Sequence, residues 1–144
     1  MNNFELYLLR ENLVKIQDKQ MSPQLSYAVC ENIEALNRAL KTFDIERGRI
    51  VKKYSNKTKD GNPKVISKNG VQQFDIPEDR LSQFTQELEE IFGIENIINF
   101  YAIDFNEVLN QDCPLTPAEI ATLKTIADHK SEQKTAPKRR RKRK

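Results

Sequence analysis

Apolar residues recur every seven positions through Val29, Leu36, Phe43 and Ile50, with Leu25, Ile33, Leu40 and Tyr54 beside them. This spacing predicts one amphipathic helix from Pro23 to Tyr54, about nine turns long, with an apolar stripe down one face. A stripe of that length needs cover, and the flanking chain supplies it. Leu6, Leu9, Leu13 and Ile16 lie three and four apart in Phe4 to Lys19, a first helix that Asn2 or Asn3 is placed to cap. Met21-Ser22-Pro23 separates the two, because proline disfavours helix in the residue before it and suits the first turn of the next. Within the long helix, Gly48 should cost roughly 1 kcal/mol against alanine. Arg47 falls where the stripe prefers an apolar residue.

After a polar segment from Ser55 to Pro63, the runs Lys64–Lys68 and Val71–Ile76 flank Asn69-Gly70. That dipeptide tolerates the positive φ angles of a two-residue hairpin turn. Pro77-Glu78-Asp79 opens another helix whose apolar face is Leu81, Phe84, Leu88 and Ile91. Ile97, Ile98, Phe100, Tyr101 and Ile103 favour a third strand beside the hairpin. A short helical turn is expected at Phe105 to Leu109. Thr116-Pro117-Ala118-Glu119 then forms a capping box for a last helix buried through Ile120, Leu123, Ile126 and Ala127. The expected fold is α+β and mainly α: a long central helix packed against the N-terminal and second helices, a C-terminal helix, and a β-hairpin or three-stranded antiparallel sheet. Residues 1–130 make a single helical domain with the hairpin at about 64–76, and 131–144 a disordered basic tail.

Charge sharpens this picture. The chain of 144 residues has net charge +3, with Lys138, Arg139, Arg140, Arg141, Lys142, Arg143 and Lys144 forming an unbroken cationic run. Of 24 basic residues those seven lie in the run, leaving 17 against 21 acidic ones, so the remaining chain carries −4. Nucleic-acid contact is therefore an expectation for the tail alone, where flexible cations engage phosphates without sequence preference. The run has no interleaved aromatic residue, so it offers no stacking platform for bases. No apolar stretch approaches the roughly 20 residues that span a bilayer, so no membrane contact is expected. The segment Met1-Asn2-Asn3-Phe4-Glu5 lacks the pattern of a secretory signal, and two well-separated cysteines fit reduced thiols, so a cytoplasmic location is expected.

Chemistry is sparse. Asn56 to Gly61 imitates the start of a calcium loop, but the twelfth position holds Ser67 where a bidentate glutamate is required, leaving a solvated turn. His129, the sole histidine, reads as a helix-end residue. Cys30 reads as core and Cys113 lacks a basic neighbour to activate it. Four isolated glycines make no phosphate loop. Glu87, Glu89, Glu90 and Glu95 read as a solvated acidic face. No catalytic residue, metal ligand or cofactor is assigned, and an enzyme is not expected.

Ser22-Pro23-Gln24-Leu25-Ser26-Tyr27, Leu36 to Arg47, Val51-Lys52-Lys53-Tyr54, Asp60-Gly61-Asn62, Asn69-Gly70, Phe74-Asp75-Ile76, Phe84-Thr85-Gln86-Glu87-Leu88, and Leu115-Thr116-Pro117-Ala118-Glu119-Ile120 with Leu123 follow one another in this order. In that spacing they resemble a group of small uncharacterised helical proteins of tailed bacteriophages. The resemblance covers about residues 22–128 and implies a phage origin, a host bacterial cell and a compact helical body, and it brings no established catalytic residues; the tail lies outside it. The expected function is a non-enzymatic accessory or assembly protein that binds a protein partner through its helical body, with the tail on nucleic acid or an acidic surface. The alternative is an anti-defence protein that inhibits a host nuclease or sequesters a nucleotide signal. Arg47, Arg49, Lys52 and Tyr54 are the expected partner surface. A homo-oligomer is left open, because the long helix permits one while Arg47-Gly48 interrupts a continuous coiled-coil seam.

Overall fold

Side chains cap three helix starts, and two of these caps, at Asn2 and Thr116, are read from the sequence. Asn2 Oδ1 accepts from Glu5 N at 2.9 Å while Glu5 Oε2 accepts from Asn2 N at 2.8 Å, which starts α1 (Asn3–Ile16). Ser22 Oγ accepts from Leu25 N at 3.3 Å at the start of α2 (Pro23–Ala39). Thr116 and Glu119 exchange the same reciprocal pair, 2.9 and 3.3 Å, at the start of the last helix. This computed structural model describes residues 1–110 and 115–135, and within them six helices and one two-stranded antiparallel sheet. The fold is α+β and mainly α.

The chain divides into two compact units, one of Met1–Tyr7 with Ala39–Ile97 and one of Leu8–Arg38 with Ile98–Lys144. One expected helix is thereby two. The stretch from Pro23 to Tyr54 is interrupted at Leu40 (φ −92°, ψ 3°), which separates α2 from α3 (Lys41–Tyr54). At this break the Ala39 carbonyl accepts from Asn96 Nδ2 at 2.9 Å, a distant partner that sequence periodicity does not register. The stripe itself is real, for all eight of its residues are buried.

In the first unit, α3 packs on α4 (Glu78–Phe92), with Tyr54 edge to face on Phe84 at 6.1 Å. Phe92 contacts Phe4, Tyr7 and Phe43 at centroid distances of 5.4, 5.9 and 5.1 Å. Arg47, the apparent flaw in the stripe, sets its guanidinium 5.4 Å from the Tyr7 ring centroid, a cation–π contact that uses charge where an apolar side chain was expected. Strands β1 (Val65–Lys68) and β2 (Val71–Phe74) pair in the register Lys68↔Val71, closed by Asn69 and Gly70 at φ 54° and 78°. Asn56 ties the open end, donating to Asp75 O at 2.8 Å and accepting from Lys64 N at 2.7 Å.

In the second unit, Leu9, Leu13, Ile16, Leu25, Val29, Leu36, Phe100, Leu123 and Ile126 are all buried. The segment from Asn96 to Asp104 is not the third strand offered as an alternative. Asn32, fully buried on α2, receives and donates the hydrogen bonds of Tyr101 backbone. A side chain thus takes the place of a neighbouring strand. Asp104 caps α5 (Phe105–Leu109) by accepting from Asn106 N at 3.0 Å. The last helix, α6 (Pro117–Thr135), continues past residue 130.

Candidate functional site

Helix α4 is strongly two-faced in sequence, yet none of its residues is fully buried. Leu81 is 47% exposed and Phe84 and Leu88 are half-buried. The hairpin beside it leaves Val65, Val71 and Phe74 exposed. Together with Arg47, these two elements line an open groove of about 860 Å³ containing Val65, Phe74, Leu81, Phe84 and Leu88. Two short strands cannot bury both faces, and α4 already spends one flank on α3, so apolar surface is left facing water. This apolar surface is bordered by Arg47, Lys68 and Asp75.

A second, polar cleft of about 630 Å³ lies between α3 and α4, lined by Lys53, Tyr54, Arg80, Gln83, Gln86, Glu87 and Glu90. Lys53 Nζ donates to Glu87 Oε1 at 2.9 Å and sits 5.0 Å from the Tyr54 ring centroid. The bond to Lys53 is the main cause holding the Glu87 carboxyl below its usual value, and the same bond raises the Lys53 ammonium. Both groups stay charged at neutral pH. A general acid needs the opposite shift in its carboxyl, so Glu87 is fitted to be a counter-ion.

The expected partner residues are distributed unevenly. Arg47 lines the groove. Arg49 is exposed and pairs with Glu46 one turn away, and Lys52 is exposed. Tyr54, expected at the surface, is buried, with Phe84 edge to face on its ring and the Lys53 ammonium over it. Cys30, read as core, is exposed and unbridged, since it projects from α2 beside the buried stripe. His129 stands edge to face on Phe100 at 5.3 Å. The Asn56 to Asn62 segment closes as a turn, with Thr58 N donating to Asn62 O at 2.8 Å and Gly61 at φ 79°. The cationic run 138–144 and Cys113 lie outside the described residues. Among the described residues, no group of three His, Cys, Asp or Glu side chains is placed to hold a metal ion, and no helix is long and apolar enough to cross a membrane.

Sequence reasoning passed over three features that the structure brings forward. Phe92, one residue before Gly93, is the hub of the aromatic cluster. Asn32 has no sequence signal beyond being a polar residue one position before stripe residue Ile33. Tyr27 and Tyr101 meet edge to face at 5.5 Å although they are 74 positions apart, which no local pattern encodes. No protein-family model, curated protein or solved structure matches this chain.

Proposed function

We propose that this chain is a non-enzymatic, phage-type accessory or assembly protein that works in the cytoplasm of a host bacterium. It binds a protein partner through the face formed by α4 and the hairpin, while the cationic run Lys138–Lys144 contacts nucleic acid or an acidic surface. The observation that carries this reading is the uncovered apolar groove, with Leu81, Phe84, Leu88 and Phe74 held open beside Arg47. A rigid, half-exposed helix flanked by a hairpin offers a partner both apolar pockets and free strand edges.

The test is affinity capture from expressing or infected bacteria with the wild-type chain, with Leu81→Lys, and with residues 138–144 removed. The expected result is one protein retained by the wild type, lost with Leu81→Lys, and still retained without the tail. Removing the tail should instead abolish nucleic-acid retention and its dependence on salt. Retention of the same protein by Leu81→Lys, at unchanged thermal stability, refutes the groove as the partner face. Hydrolysis of a nucleotide or nucleic acid by the pure protein, lost on changing Glu87 or Glu90, refutes the non-enzymatic reading.

A further inference from the structure

Tyr27 and Tyr101 stand edge to face with their ring planes 67° apart, yet they are 56% and 45% exposed. Two aromatic rings held in contact at a surface form a corner with π faces still open. They line a pocket of about 530 Å³ together with Leu25, Ile103, Asp104 and Glu107. Leu25 and Ile103, both buried, form its floor, and Asp104 and Glu107 at its edge carry negative charge. The chemistry that fits is an aliphatic stem ending in a cation, which lies along the exposed tyrosine rings with its charge near the carboxylates.

We propose that this pocket is the resting site of the chain's own cationic run, in which a lysine or arginine side chain of Lys138–Lys144 lies against Tyr27 and Tyr101 with its charge beside Asp104 and Glu107. Charge complementarity supports this occupant, since the run carries +7 and the remaining chain −4. Reach supports it as well. Within the same unit, α6 sets His129 on Phe100, the residue before Tyr101. The nine residues following Thr135 are long enough to span up to about 30 Å. Tethering raises the local concentration of the run to roughly the millimolar range, enough to populate a weak cation site. Phosphates then compete with the pocket for the same cations, so nucleic acid releases the run from its own chain. This assignment does not rest on the partner face of α4.

The experiment compares tyrosine ring signals by NMR in the full chain and in a chain of equal length with 138–144 changed to glutamine. At low salt the Tyr27 and Tyr101 signals differ between the two chains while those of Tyr7 and Tyr54 coincide. The difference vanishes in about 1 M salt, where screening acts within about 3 Å. A second measure is trypsin cleavage within 138–144, expected to be several-fold faster in full-length Tyr27→Ala than in the wild type at low salt and equal at high salt. Coincident Tyr27 and Tyr101 signals in the two chains, or equal cleavage rates at low salt, overturn the proposal. A signal difference that grows with protein concentration overturns docking within one chain.

Discussion

The side-chain amide of Asn32 completes the backbone of Tyr101 from both directions. Asn32 Nδ2 donates to Tyr101 O at 3.0 Å, and Asn32 Oδ1 accepts from Tyr101 N at 2.7 Å. An extended segment without a strand neighbour would otherwise bring unpaired backbone groups inside, and one amide supplies both partners.

Replacing Asn32 by leucine keeps the volume and removes both bonds. The two orphaned backbone groups should lower stability by about 2–3 kcal/mol. Thermal unfolding should then show a Tm lower by roughly 5–10 °C. Hydrogen exchange should report the faster loss of protection at the Tyr101 amide. An unchanged Tm would mean that water replaces the amide without cost.

The Lys19–Glu119 pair, 2.6 Å apart, gives the second unit a pH signature. Its bond to Lys19 is the largest cause holding the Glu119 carboxyl below the ordinary 4.5, followed by the Thr116 N–H. A carboxyl depressed in the folded state stabilises it above the unfolded value, and the effect is lost as pH falls through the folded value. Glu119→Gln should therefore lower Tm at neutral pH, and the gap to wild type should close as pH drops below about 4.5. Melting curves across that range measure it; a gap independent of pH would exclude the carboxylate as its source.

Gly48 and Gly70 should respond oppositely to alanine. A Cβ at Gly48 meets nothing within 4 Å in a helical backbone, so Gly48→Ala should stabilise by about 0.5–1 kcal/mol. Gly70 also has room, but its φ of 78° is strained for any L side chain. Gly70→Ala should destabilise by about 1 kcal/mol. Chemical denaturation distinguishes the two signs.

Phe92→Ala should be the costliest change in the aromatic cluster, since Phe92 touches Phe4, Tyr7 and Phe43. Half-burial of the ring sets the loss at about 2–4 kcal/mol by denaturant titration. Leu81→Lys, on the open groove, should stay within about 0.5 kcal/mol of wild type. That contrast separates the residues that hold α4 from those that it presents outward.

The sequence by itself determined what is local. Periodicity marks the buried residues of α1, α2 and α3, reciprocal side-chain bonds fix helix starts at Asn2 and Thr116, and Asn69-Gly70 sets the hairpin register. Each depends on contacts within a few positions, where rise and rotation per residue are constant. Only the tertiary structure decided the break at Leu40, the use of Arg47 over Tyr7, the burial of Tyr54, the exposure of Cys30 and the Asn32–Tyr101 pairing. Those outcomes depend on partners dozens of positions away, such as Asn96 at the Ala39 carbonyl. The open groove was equally hidden, because an apolar face reads the same in sequence whether its cover comes from the chain or from a partner.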